Sequence, residues 1–258
     1  MNESGGAPSD ALVVSLTAWQ LVHDLNTRSR PAFAFPALVA AYDAAPASAL
    51  KTKIADQIAL LRKWDFRWGA GSVETTLAIY WAEDLQRTGN RAGGGRGGRG
   101  NNAATPDSTV IRANMLQSLA NASDKLTTDF GSWKTPWGDV NRFQRITDDI
   151  VHPFNDAGPG IPVMFSSATW GSLASFATRT PPGMKKRYGQ SGNSFVSVVE
   201  FGDSVRAKAV TAGGESGDPK SKHFNDQALR YSTGNLRDVY FYKSQLKGHT
   251  EREYHPGQ

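Results

Sequence analysis

The stretch TAGGESGDPKSKHFNDQALRY, from Thr211 to Tyr231, holds the densest set of side chains that could do chemistry. It brings Ser216, Ser221, His223 and Asp226 close together among glycines and a proline. A phosphate cradle would need GxxxxGK(S/T) after a strand. Here Gly217 is followed by Asp218 and Pro219 before Lys220, and the Asp218 carboxylate would repel a phosphate. A serine nucleophile would need an activating base and an oxyanion hole, and no GxSxG elbow occurs. The residues read more simply as a strand, a tight turn at Pro219, and a helix over about 222–232 capped by Ser221. His223, Asp226 and Gln227 would then sit on its first turns and hydrogen-bond back to the loop's peptide groups.

A second candidate is SGNS at 191–194, a turn that delivers Gly192, Asn193 and Ser194 to the start of a strand. Asn193 could donate into a site or satisfy its own turn, and spacing favours the turn. The five histidines, His23, His152, His223, His249 and His255, show no metal-ligand spacing such as HExxH, so no metal site is expected. The adjacent carboxylates Glu83 and Asp84, and Asp148 and Asp149, do not share a helix face and make no acid/base couple.

Composition narrows the classes. The chain has 258 residues, 39% of them hydrophobic, with 7 Trp and 12 Phe, enough for a sizeable core. Its net charge of +5 is spread along the sequence, as on a solvated surface rather than a nucleic-acid footprint. With no cysteine, disulfides, thiolate metal sites and a Cys nucleophile are excluded, which fits a cytoplasmic protein or a disulfide-free periplasmic one. The opening MNESGGAPSDALVV does not read as a signal peptide, and no apolar run approaches the ~18 residues of a membrane span.

The elements that must position these residues fall into two parts. Residues 1–10 read as a disordered start and 11–87 as helical. In that part Leu12, Leu16, Trp19 and Val22 form one stripe, and Ile54, Ile58 and Leu61 another. A helix capped by Ser72 presents Val73, Leu77, Tyr80 and Trp81. Residues 88–106 are a Gly/Arg-rich flexible loop; Arg91, Arg96 and Arg99 resemble an RNA-binding tract, but a solvated loop is the better reading. A helix over 107–129, capped by Asp107 or Ser108, points Val110, Met115, Leu119, Ala122 and Leu126 inward. Pro136 and Gly138 break the helical pattern, and the chain should then cross the core as extended segment and turn. From 160 onward the texture is β-rich. Phe195, Val196, Val198, Val199 and Phe201 read as a buried strand that turns at GDS (202–204) and pairs back through 205–212. Helices followed by strands argue for an α+β fold.

Four ordered segments resemble the penicillin acylase (penicillin amidase) family: LLRKWDFRWGAGSVETTLAIYWAEDL, SWKTPWGDVNRFQRI with its WG-(D/E)-V-x-R element, GNSFVSVVEF, and GGESGDPKSKHFNDQ. The last is the most specific, matching G-(Q/E)-S-G-(N/D)-P-x-S-x-H-(F/Y)-x-D-Q at Gly214, Glu215, Ser216, Gly217, His223, Asp226 and Gln227. The resemblance implies an N-terminal nucleophile hydrolase of linear amides in acylated substrates, of β-lactam or acyl-homoserine-lactone type. It implies a four-layer αββα sandwich, a periplasmic or exported location, and this chain as the C-terminal part of a β-subunit. The nucleophilic Ser, the oxyanion-hole Asn and the calcium ligands are then expected on upstream polypeptide, leaving no catalytic residue and no cofactor here. The expected partners are the α-subunit and N-terminal β-subunit portion of the same precursor, with no nucleic acid and no membrane. Gly192, Asn193 and Ser194 would lie beside the site, and the Gly214–Gln227 stretch would be scaffold. The rival expectation is a non-enzymatic binding module derived from the family.

Overall fold

The computed structural model describes residues 30–92, 108–151, 153–172, 174–250, 253, 255 and 257. The stripe over 11–25, the expected start at 1–10, the glycine-arginine stretch from 93 on, His23 and His152 lie outside them.

Among the described residues, five helices build the first part. Helix α1 (Arg30–Ala44) tolerates Pro36 in its interior, with Phe35, Leu38 and Ala41 buried on one side. Helices α2 (Ala49–Lys53) and α3 (Ala55–Leu61) meet at Ile54, and Ser48 caps α2 by accepting from the Lys51 N–H. Ile54, Ile58 and Leu61 are all buried, as their spacing predicts. Helix α4 (Val73–Ala92) starts where Ser72 Oγ accepts the Thr75 N–H, and it runs to Ala92 rather than ending at 87. Helix α5 (Ser108–Phe130) packs along α4, and the Trp81 indole donates across to the Met115 carbonyl. Val110 is exposed rather than inward, because α5 first meets the core at Met115 and Leu116, more than a turn further on. Gly131, at φ +84°, lets the chain leave α5 in a left-handed turn. Phe35, Trp64, Trp68, Trp81 and Trp137 knit this core.

The tryptophan and glycine of WGDVNR join that core to the strands. The single helical turn α6 (Trp137–Val140) is buried, and its Trp137 and Gly138 N–H groups donate to the Ser72 and Ala70 carbonyls. A Cβ at Gly138 would lie 2.7 Å from Pro162 Cβ, so only glycine allows this approach. Strand β1 (Asn141–Phe143) pairs antiparallel with β2 (Ile161–Pro162) and parallel with β4 (Arg187–Gly192), and β3 (Phe176–Arg179) completes the order β2-β1-β4-β3. A second sheet has the order β5-β6-β7, from β5 (Phe195–Glu200), β6 (Arg206–Thr211) and β7 (Arg237–Val239). Its β5–β6 hairpin closes with Glu200 opposite Arg206, around the expected turn. A second core gathers Val163, Phe165, Phe176, Val210 and Tyr231 from both sheets and helix α7 (Ala228–Thr233). Mixed helices and sheets make an α+β fold.

Strand β5 departs from the expectation of a buried strand. Phe195 is 57% exposed, Val199 44% and Phe201, just past the strand, 84%. Side chains alternate across a strand, so Val196 and Val198 reach the second core while Phe195 and Val199 face away from it. The tail helix is also shorter than expected. It begins at Ala228, not near 222, because the residues before it spend their polar groups in consecutive turns. Among the described residues no helix is long and apolar enough to cross a membrane.

Candidate functional site

The loop between β6 and α7 is tied from both ends. Within it the Ser221 N–H donates to the Asp218 carbonyl across Pro219, and the Lys220 N–H to Asp218 Oδ1. Ser221 Oγ accepts from the His223 N–H, a turn contact rather than a helix cap, and Ser216 Oγ accepts from the Asp218 N–H. Both hydroxyls are acceptors for local peptide groups. His223 Nδ1 lies 2.8 Å from Asp226 Oδ2 on the half-exposed side of the loop. His223 and Asp226 thus precede α7 instead of riding on its first turns.

Gln227 is the hub. It is buried and precedes α7; its N–H donates to the Gly213 carbonyl, and its Oε1 accepts from the Thr211 N–H at 3.1 Å and from Arg237 Nε at 3.2 Å. Its Nε2 donates to Glu215 Oε1, which also accepts from Thr211 Oγ1 at 2.6 Å. Gly214 sits where a Cβ would come 2.1 Å from the His223 carbonyl oxygen and 2.7 Å from Asp226 Oδ1. Gly217 has open space around it.

The SGNS turn lies against the start of this loop, since the Ala212 N–H donates to the Ser194 carbonyl at 2.7 Å. Asn193 clamps Ser175 twice: its N–H donates to the Ser175 carbonyl, and its Oδ1 accepts the Ser175 N–H, both at 2.8 Å. Gly192, at φ +144°, would place a Cβ 2.0 Å from the Ser175 oxygen. Gly192, Asn193 and Ser194 therefore form the crossing from one sheet to the other and adjoin the loop's first residues.

Three anchors have partners too far along the chain to be read from spacing. Arg145 donates to the Phe224 and Ser216 carbonyls at 2.8 and 3.1 Å, and stacks 3.9 Å from the centre of the Phe224 ring. Arg187 makes a two-pronged ion pair with Glu83, NH1 to Oε2 at 2.9 Å and NH2 to Oε1 at 2.7 Å, joining β4 to α4. Burial disfavours the guanidinium charge, but Glu83 outweighs it and holds Arg187 above its ordinary value. Burial likewise pushes the Tyr80 phenol up, only partly offset by Arg187. Asp84, beside Glu83, pairs instead with Arg87 and accepts from Asn121. The third anchor is Asp156. Burial alone would raise its carboxyl, but the Lys185 N–H, the Tyr188 hydroxyl and the Lys186 N–H together hold it below the usual carboxylate value. Tyr188 is pushed up by burial and by that same bond.

The match to a family of known proteins is broad. The penicillin amidase family model covers residues 10–248. The chain belongs to the penicillin amidase family. Its family is one of acylase- or amidase-type hydrolases. The stretch from Gly214 to Gln227 is, in this fold, a self-bonded loop fastened by Arg145 and Arg237. Among the described residues no group of three His, Asp or Glu side chains could hold a metal ion.

Proposed function

We propose that this chain is the C-terminal scaffold and pocket wall of a β-subunit in a penicillin-acylase-type hydrolase that cleaves linear amides of acylated substrates. The attacking serine, its amino-terminal base and the oxyanion-hole donor belong to preceding polypeptide. In that enzyme a serine hydroxyl adds to the acyl carbon, the amine leaves with a proton, and water then releases the acid. The four-layer sandwich, the exported location, and a β-lactam or acyl-homoserine-lactone substrate form part of the same proposal. Gly192, Asn193 and Ser194 would line the site's edge, with the Gly214–Gln227 loop as its support.

The observation that carries this reading is the uncovered apolar face of the second sheet, at Phe195, Val199 and Phe201. Large side chains of this kind gain roughly 1.5–3 kcal/mol each on full burial, and a self-contained domain rarely leaves several together. A further layer of sheet from the upstream portion would cover them.

The test is to purify the 258-residue chain alone and together with a co-expressed upstream portion that carries an amino-terminal serine. Alone, the chain should bind a hydrophobic dye and hydrolyse no acyl amide; together, the two should form a soluble complex that releases acid from a chromogenic acyl amide. Turnover by the chain alone would refute the proposal. A monomeric chain with a sharp melt and no dye binding would favour the binding-module alternative.

A further inference from the structure

The charged residues of the WGDVNR element, Asp139 and Arg142, both line one open cleft of about 530 Å³. Its other walls are Phe130, Ser132, Lys134, Thr135, Pro136 and Lys186. Three cations thus face one carboxylate. Among the described residues none of Lys134, Arg142 and Lys186 makes an ion pair. Two of them are instead held in place by neutral groups. Arg142 donates to the Gly138 carbonyl at 2.8 Å and to the Gly160 carbonyl, and Lys186 Nζ donates to the Asp156 carbonyl at 2.7 Å. Lys134 rests over the Trp133 ring, 5.3 Å from its centre. The Asp156 carboxylate accepts the Lys185 and Lys186 N–H groups and the Tyr188 hydroxyl and also attracts the Lys186 charge, which leaves Lys134 and Arg142 as the less compensated cations. A carbonyl fixes a cation's position without cancelling its charge. The cleft therefore holds a preorganised positive field beside the apolar surfaces of Phe130 and Pro136.

We propose that this cleft binds a small organic carboxylate, its acid on Lys134, Arg142 and Lys186 and its apolar part against Phe130 and Pro136. The proposal rests on the hydrolase reading only for the ligand's source. Amide hydrolysis yields a carboxylic acid, and the released amine is itself a carboxylate when it is an amino acid. Asp139 distinguishes the two: it repels a simple acid and attracts the ammonium of an amino acid.

The experiment titrates benzoate, its neutral analogue benzamide, and phenylalanine into the full chain at low salt, following ligand signals by NMR. Benzoate should bind and benzamide should not, and affinity should fall as salt screens the cleft. Replacing both lysines (Lys134→Gln with Lys186→Gln) should weaken benzoate about tenfold or more, at roughly three- to fivefold per exposed charge. Asp139→Asn should tighten benzoate about threefold. If the same change weakens phenylalanine, the amine product is the source; if it does not, the acid is. Equal binding of benzoate and benzamide, no binding of benzoate, or benzoate affinity unchanged in the double lysine variant would overturn the proposal. The chain with its upstream portion separates the two readings: hydrolysis without benzoate binding removes only the cleft, and benzoate binding without hydrolysis removes only the hydrolase reading.

Discussion

Replacing Glu83 by Gln tests the joint between the helical part and the first sheet. The Arg187 side chain is 13% exposed and that of Glu83 38%, so the pair lies between a surface ion pair and a buried one. Exposed pairs contribute ~0–1 kcal/mol, whereas removing one partner of a fully buried pair costs ~3–5 kcal/mol. Discounted for the access Glu83 has to water, Glu83→Gln should cost about 2 kcal/mol. The effect is asymmetric. Without Glu83, the buried guanidinium keeps no carboxylate beside it, only neutral partners that include Thr178 Oγ1, 3.2 Å from its Nε, the Tyr80 side chain and the face of Trp137 at 5.9 Å. Without Arg187, Glu83 can turn toward solvent, so Arg187→Met should cost about 1 kcal/mol. Changing both, Glu83→Leu with Arg187→Met, should cost less than the sum by at least ~1 kcal/mol, because no charge is then stranded. Denaturant unfolding followed by tryptophan fluorescence reads all three, and at this chain length about 2 kcal/mol corresponds to a melting shift of roughly 4–8 °C. A Glu83→Gln cost below ~0.5 kcal/mol, or strict additivity in the double variant, would refute the reasoning.

Three further outcomes follow from the loop and its ties. Gly214→Ala drives a methyl to 2.1 Å from the His223 oxygen, so it should cost ~2 kcal/mol or more and loosen the 213–227 loop, read as faster amide exchange there. Arg145→Met keeps most of the stack on Phe224 but loses both carbonyl bonds; a cost of roughly 1.5–3 kcal/mol and quicker proteolytic nicking near Ser216 are expected, and Gly217→Ala, in open space, should change neither. Asp156 has a lowered folded-state value, so its contribution is present above the unfolded value of about 3.9 and is lost as pH falls through the folded value. Asp156→Asn should therefore be less stable by about 1–2 kcal/mol across pH 5–8, with the gap to the native chain closing only in acid, as measured by urea midpoints at each pH.

Local features were legible in the sequence because their causes lie within a few residues. The Ile54, Ile58 and Leu61 stripe, the Ser72 cap, the hairpin around GDS and the turn at Pro219 each depend on near neighbours, and each forms as its pattern predicts. Membership of the family was legible for the same reason, carried by runs of consecutive residues. Tertiary pairing decided the course of the chain from Gly213 to Gln227: the His223 carbonyl accepts the Ser216 N–H and the Gln227 N–H donates to the Gly213 carbonyl, so two groups that would bond each other in a helix from 222 are spent on the loop, and α7 begins at Ala228. Which face of β5 is covered could not be read, because an apolar strand looks the same whether one side or both are packed. Nor could the partners of Glu83, Arg145 or Asp156, which only the folding of distant segments brings within bonding distance. The cleft of Lys134, Asp139, Arg142 and Lys186 is of the same kind. Its charges are written in the sequence, but only the tertiary fold sets them along one cleft, with backbone carbonyls holding Arg142 and Lys186 in place.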